Sequence, residues 1–169
     1  ILGNVSVELK DYKKAVDYFL QALDIAIELE KEDKQGRKSS CYNNLGYIYI
    51  KLKDYKKAIE NFEKGLDDKK IIAAKPLLYA NLIDNLAFSR LKLNNTNGIK
   101  KMFDEAYKIR IQEDATQDII RSQIHLSQYY SSVKDTTKSI EYAQKARNLS
   151  KSTKKAFDIL ISLHQLSEV

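Results

Sequence analysis

Proline, glycine, tryptophan and cysteine are scarce in this 169-residue chain, which has one proline, five glycines, one cysteine and no tryptophan. Sheet proteins connect their strands through turns rich in glycine and proline, so the scarcity argues against a strand-rich fold and favours helix along nearly the whole chain. The single cysteine, Cys41, excludes an internal disulfide and does not identify a compartment. No apolar run approaches the roughly 18 to 20 residues of a membrane-spanning helix, so no membrane insertion is expected within this sequence.

What the chain does contain is a balance of apolar and charged residues, 43% and 31% respectively, which suits a soluble globular or solenoid protein rather than a disordered one. The net charge of +6 permits contact with nucleic acid or anionic surfaces. The lysines, however, come as doublets spread along the chain, which indicates a solvated face that recurs rather than one basic patch. The doublets are Lys13-Lys14, Lys56-Lys57, Lys100-Lys101 and Lys154-Lys155.

Two series of residues recur with the same period of 40 to 43 residues. The first is a leucine followed by a small residue, at Leu2-Gly3, Leu45-Gly46, Leu86-Ala87, Leu126-Ser127 and Leu166-Ser167. The second consists of residue types that cap helix N-termini, at Asp11, Asp54, Asn95 and Asp135. Because two independent series share one period, the chain is a helical repeat.

Each repeat is predicted to hold two helices. The first helices are expected at about residues 39–52, 76–93, 116–133 and 154–169, and the second helices at about 11–31, 54–69, 96–112 and 136–151. The repeat units are 1–34 (partial), 35–72, 73–113, 114–152 and 153–169 (partial), and together they form one solenoid domain. Because both ends fall inside predicted helices, we expect the chain to be a piece of a longer protein.

The second helices carry their apolar residues on one face. Phe19, Phe62 and Phe103 occupy equivalent places, each followed three residues later by a small residue. Residues three and four apart share one side of a helix, so these aromatics are predicted to be core residues.

The residues Leu45-Gly46, Tyr49, Tyr55, Ala58 and Phe62 resemble the tetratricopeptide repeat, a helix-turn-helix unit of about 34 residues. The repeats here are longer and lack the usual closing proline, which implies helices extended by a turn or more. The resemblance implies an all-α fold, a right-handed superhelix of antiparallel helix pairs. It also implies a non-catalytic module that binds proteins or peptides.

Residues 75–87 and 124–130 more narrowly resemble the repeat-built sensor arms of bacterial histidine kinases, which precede a transmembrane helix and a cytoplasmic kinase. This resemblance implies an interaction arm of a signal-transduction protein located in the periplasm. The alternative is a cytoplasmic repeat domain that acts as a peptide-binding regulator or scaffold.

Candidate catalytic and metal-binding residues are few. The two histidines, His125 and His164, have no cysteine or histidine cluster at metal-ligand spacing around them. Cys41 lies on a helix face rich in packing residues and has no neighbouring base in a known motif, so an inert thiol is expected. The sequence therefore predicts no enzyme activity, no metal and no cofactor.

A helical repeat that reads RNA is a further alternative. Such a protein needs basic or hydrogen-bonding side chains at equivalent inner positions of successive repeats. Arg121 occupies one such position, but its equivalents are Ser40 and Asn81. Nucleic acid is therefore not expected as a partner.

In stacked helix pairs the first helices line a concave surface, where a protein or peptide segment would bind. The family's inner positions fall here on residues that combine an apolar strip with hydrogen-bonding groups. They are Asn43, Tyr47, Ile50, Lys51, Asn81, Asp84, Phe88, Leu91, Lys92, Arg121 and Gln128, with Asn4, Val7 and Glu8 from the partial first unit.

Three further expectations concern this surface and the chain end. The lysine–asparagine clamp with which some relatives hold chaperone C-termini is absent, because its positions hold pairs such as Asn43 and Tyr47. Alternatively, Tyr47 and Phe88 pack only against the neighbouring repeat and nothing binds there. The third expectation is self-association through the C-terminal helix, because its apolar residues need cover. Those residues are Leu160, Leu163 and Leu166.

Overall fold

In a computed structural model, which describes residues 2–28 and 36–153, the chain is all-α. The described helices are α1 (Leu2–Glu8), α2 (Tyr12–Glu28), α3 (Arg37–Lys51), α4 (Tyr55–Gly65), α5 (Ile71–Ala74), α6 (Pro76–Lys92), α7 (Ile99–Gln112), α8 (Thr116–Ser132) and α9 (Thr136–Ser152). No strand occurs in these ranges. The predicted all-α fold of repeated helix pairs is confirmed. The predicted helix at 154–169, with His164 and the apolar residues proposed for self-association, lies outside the described residues.

The chain divides into two compact units, residues 1–95 (unit 1) and 96–169 (unit 2). In unit 1, α1 packs against α2, α2 against α3, α3 against α4, and α6 against both α3 and α4. In unit 2, α7 packs against α8 and α8 against α9. Each unit is therefore a stack of helices that contact their neighbours along the chain, as in other helical repeats.

A short left-handed turn joins the two helices of a repeat. Between α3 and α4, Lys53 has a φ of 60°, and the Asp54 N–H donates to the Tyr49 carbonyl at 2.9 Å. The Asp54 carboxylate then accepts the Lys57 N–H at 3.2 Å and caps α4. The same arrangement recurs at Asp11 and Asp135, which confirms these predicted caps.

Replacing Lys53 by glycine is expected to raise the free energy of unfolding by about 0.5–1 kcal/mol, because glycine adopts a positive φ without the steric cost of a Cβ. Urea denaturation measures the change. Glu60→Gly, at an exposed position in the interior of α4, is the matched control and should lower stability by about 1 kcal/mol. A loss of stability in Lys53→Gly would contradict this account of the turn.

Two predicted details of the helices are wrong. Asn95 does not cap the next helix; Gly98, with a φ of 71°, immediately precedes α7. No residues are inserted here, because Asn95 and Ile99 are four apart, as are Asp54 and Ala58. The helix begins three residues later than in the preceding repeat, so the asparagine is too far from its first turn to cap it. The helix predicted at 54–69 ends at Gly65, and in the turn that follows the Asp68 carboxylate accepts the Lys70 N–H at 3.0 Å.

The core is built around the phenylalanines that recur on the second helices, which we call the aromatic stripe. Phe62 and Phe103 have no exposed surface, and Phe19 retains 8%, which confirms their prediction as core residues. A Cβ placed on Gly3 would lie 2.7 Å from the Phe19 ring, and one on Gly46 would overlap the Phe62 ring. The small residue of each pair is therefore required by the phenyl ring that packs on it.

Unit 2 keeps the same helix packing with polar side chains. Ala143 replaces the phenylalanine, and the residue equivalent to the glycine is Ser127. Ser127 and Ser139 are fully buried, and each hydroxyl donates to the other residue's carbonyl at 2.9 Å. Reciprocal hydrogen bonds satisfy the buried hydroxyls, so this helix contact needs no aromatic ring.

Candidate functional site

Helices α3 and α6 bring most of the predicted binding residues together in unit 1. Both are first helices of their repeats, and they pack directly against each other. The Asn85 side-chain amide donates to the Asn43 side-chain oxygen at 3.4 Å and joins the two helices. The inner faces of these helices therefore form one surface.

A hollow of about 260 Å³ extends this surface to α1. Tyr47 and Asn44 of α3 form one side of it, and α1 forms the other. Its full lining is Asn4, Val7, Glu8, Phe19, Asn44 and Tyr47. The residues that the sequence assigned to the partial first unit thus lie beside Tyr47. Asn44 was not predicted, although it adjoins Asn43 and immediately precedes the repeated leucine.

A lysine lies over an aromatic ring at the same place on both helices. The Lys51 amine is 4.9 Å from the centroid of the Tyr47 ring, and the Lys92 amine is 5.2 Å from that of Phe88. Each pair is separated by four residues, which places both members on one side of the helix. The pairing is visible in the sequence as an aromatic residue followed four places later by lysine.

The two rings differ in how firmly they are held. Phe88 makes an edge contact with Tyr55 of the preceding repeat, with ring centroids 6.5 Å apart and planes at 75°. Tyr47 is half-buried and borders the hollow. Phe88 thus has a packing role within unit 1, whereas the described contacts of Tyr47 are with the hollow and with Lys51.

Not every predicted residue is accessible. Asp84 has no exposed surface and Leu91 retains 7%, because α6 is enclosed along much of its length. A ligand on the surface cannot reach them, so we leave both out of the proposed groove. Asn81 and Ile50 are half-buried, and Lys51 and Lys92 are exposed.

Two predicted residues belong to unit 2. Arg121 is exposed and forms an ion pair with Asp118 at 3.3 Å on the same helix. Gln128 is half-buried, and its side-chain oxygen is enclosed without a hydrogen-bond partner among the described residues.

Unit 2 also contains an aromatic cluster that the sequence did not suggest. The rings of Tyr130 and Tyr142 stack at 5.5 Å, and Tyr107 meets Tyr142 edge-on at 6.4 Å. Burial, followed by the neighbouring Tyr130, raises the pKa of Tyr142. Lys138 lies over Tyr130 at 5.2 Å.

The lysines around this cluster are paired with carboxylates. Lys138 contacts Asp135 at 3.2 Å, and Lys145 contacts Glu141 at 2.6 Å. Hydrogen bonding to Asp135 is the main cause that raises the pKa of Lys138. Since each cation has a local counter-ion, the cluster presents little unbalanced charge.

The residues considered for chemistry are packing residues. His125 and Cys41 each retain 9% exposure, and the His125 ring lies 5.9 Å from that of Phe103. Across residues 2–28 and 36–153, no three histidine, cysteine or acidic side chains are placed to hold a metal ion. None of the described helices is both long and apolar enough to cross a membrane.

Comparison with known proteins agrees with this architecture. Residues 1–70 match the family model described as tetratricopeptide repeat, which confirms the predicted family resemblance. Among solved structures, the chain is similar to BtubC (BKLC) from P. vanneervenii, at 19% identity and a TM-score of 0.67. The similarity covers 99% of this chain and 75% of BtubC, and at this identity it concerns the fold alone. None of the curated protein sequences compared matches the chain.

Proposed function

Because its N-terminal 70 residues carry the tetratricopeptide repeat, a unit that generally mediates protein interactions, we propose that this chain is a non-catalytic protein-binding module. We assign binding to the inner face of α1, α3 and α6 in unit 1, which we call the groove. The observation that carries the assignment is the hollow between α1 and α3, bordered by Tyr47. A half-exposed tyrosine beside a hollow is a common centre of binding energy at protein interfaces.

The chemistry of the groove suits a peptide segment. Tyr47 and Ile50 present apolar surface, and the amides of Asn43, Asn44 and Asn81 can pair with a peptide backbone or with polar side chains. A segment that covers the rings and meets the amides would bury apolar area and keep its backbone hydrogen-bonded.

Replacing Tyr47 by alanine is expected to weaken peptide binding at least about tenfold, the usual scale for truncating a central aromatic contact. The probe is a set of dodecapeptides selected from a random library on the wild-type chain, with affinities measured by fluorescence anisotropy. Since the ring is only half-buried, the free energy of unfolding should fall by less than about 1 kcal/mol.

Tyr18→Ala is the matched control, because Tyr18 is a half-buried tyrosine on α2 that does not line the hollow. It should leave peptide affinity unchanged. If the selected peptides bind the Tyr47 variant as tightly as the wild type, or if none can be selected, the groove assignment is wrong. If Tyr47→Ala costs several kcal/mol, Tyr47 is a core residue instead.

We further propose that the module is the sensor or interaction arm of a bacterial histidine kinase. The sequence resemblance of residues 75–87 and 124–130 to such arms supports this placement. The coding sequence downstream of residue 169 tests it: a transmembrane helix followed by a kinase core would support a periplasmic arm. A DNA-binding helix-turn-helix domain would favour the cytoplasmic peptide-binding regulator instead.

Self-association through residues 154–169 is a separate proposal, based on Leu160, Leu163 and Leu166. Sedimentation equilibrium tests it, with a dimer expected for the wild type and a monomer for the variant in which Leu163 is replaced by glutamate. A wild-type chain that is monomeric at high concentration would overturn the proposal.

A further inference from the structure

Three charged residues occupy the same repeat position on the three helices of the groove. They are Glu8 on α1, Lys51 on α3 and Lys92 on α6, separated by the repeat period. All three side chains are exposed. Along the groove the charges therefore run negative, positive, positive.

The charges of this row are not neutralised by their neighbours. Among the described residues, Glu8, Lys51 and Lys92 have no ion-pair partner within 4.0 Å. Other lysines of unit 1 behave differently: Lys14 pairs with Asp11 at 3.2 Å and Lys57 with Asp54 at 3.5 Å. The lysines of the groove instead lie over the rings of Tyr47 and Phe88.

The packing of α3 against α6 favours one ligand conformation. Neighbouring packed helices lie about 8–10 Å apart. A polyproline II segment has three residues per turn and rises about 3.1 Å per residue, so every third side chain points the same way at intervals of about 9 Å. A segment lying across α3 and α6 would thus meet one helix with every third residue, and Glu8 holds the equivalent repeat position on α1.

We propose that the partner is an extended, proline-rich segment with charges at every third residue in the order basic, acidic, acidic. The basic residue pairs with Glu8, and the two acidic residues pair with Lys51 and Lys92. The half-buried ring of Tyr47 receives a proline of the segment, as aromatic grooves do in other domains that bind this conformation. This inference rests on the proposed function of the groove and adds the chemical class of the ligand.

The test uses three labelled peptides of one composition: Lys-Pro-Pro-Glu-Pro-Pro-Glu, its reverse, and the scrambled Glu-Pro-Pro-Lys-Pro-Pro-Glu. The first two allow either chain direction in the groove. We expect the better of them to bind at least about fivefold tighter than the scrambled peptide at low ionic strength, since two of the three charge contacts become repulsive in the latter. The preference should shrink towards unity in 1 M salt, where the Debye length is about 3 Å.

A charge exchange in the protein gives the decisive comparison. In the double variant Glu8→Lys/Lys51→Glu the row reads positive, negative, positive, so the scrambled peptide becomes the matching ligand and the preference should invert. Both residues are exposed, so the exchange should leave the fold intact. Circular dichroism checks that it does. Lys57→Glu, which changes a lysine already paired with Asp54, is the control and should leave the preference intact.

Equal affinities for the three peptides, binding of none of them at millimolar concentration, or a preference unmoved by the exchange would overturn the inference. The proposed function is judged separately by the randomly selected peptides. Suppose that binding of those peptides requires Tyr47, that their sequences share no charge pattern, and that they bind the Lys51→Gln variant as tightly as the wild type. The groove assignment then stands, and the proposed charged, proline-rich ligand is wrong. If they ignore Tyr47, the groove itself is wrong.

Discussion

Replacing Phe62 by alanine should lower the free energy of unfolding by about 3–5 kcal/mol, the cost of removing a buried phenyl ring together with the cavity left behind. Phe62 has no exposed surface, and its ring lies directly against Gly46 of the preceding helix. Because both α3 and α4 depend on this contact, neither helix can move in to fill the space without losing its other packing. Urea denaturation followed by circular dichroism measures the change.

The control for this prediction is Phe62→Leu, which keeps much of the buried volume and should cost clearly less than the alanine variant. Hydrogen exchange locates the damage: the amides of α3 and α4 should lose protection in Phe62→Ala. A loss of less than about 1 kcal/mol would mean that the helices collapse into the cavity. The aromatic stripe would then not be essential to the repeat.

Replacing Gly46 by alanine should also have a large effect, lowering the free energy of unfolding by about 2–3 kcal/mol. Alanine is ordinarily the better helix former by about 1 kcal/mol, so a loss must come from packing. The added methyl would overlap the Phe62 ring, and a ring enclosed on all sides cannot withdraw without shifting other core residues. Denaturation in urea again gives the value.

A double-mutant cycle separates this clash from any other defect. In Gly46→Ala/Phe62→Ala the methyl enters space that the ring has vacated, so the double variant should be more stable than the sum of the two losses predicts, by about 2 kcal/mol. Unit 2 contains a natural counterpart, with Ser127 and Ala143 at these positions. Strict additivity would show that the glycine serves another purpose, such as backbone flexibility.

Much of the fold could be predicted from the spacing of residues. Phe19, Phe62 and Phe103 recur at one place on an amphipathic helix, and all three are buried in the structure. The caps Asp11, Asp54 and Asp135 were predictable because capping depends on residues three apart in the chain. Such interactions are local, so a single sequence contains what is needed to recognise them.

The errors arose where a local pattern did not fix the backbone. Asn95 has the residue type of a cap, but the loop before α7 is longer and ends in a left-handed glycine. The expected continuous helix at 54–69 is interrupted after Gly65, although residues 66–69 include no proline or glycine. A left-handed glycine before α7 and the turn between α4 and α5 decided these boundaries, and neither follows from the repeat pattern.

The candidate groove was only partly predictable. The inner positions of the repeat predicted Tyr47, Lys51 and Phe88 as binding residues. They lie on α3 and α6, which pack together in unit 1. The same rule also named Asp84 and Leu91, which are buried. Exposure depends on how many helices surround a given helix, and a repeat pattern treats all repeats alike.

The sequence by itself thus determined the helical repeat, its period and the residues that form its core, because these follow from interactions among residues close in the chain. Only the tertiary structure decided which inner residues stay accessible and that a hollow forms beside Tyr47. It also decided that, among the described residues, no carboxylate lies within ion-pair distance of Lys51 or Lys92. These properties depend on the distances between separate helices, and such distances are set by the packing of all side chains at once.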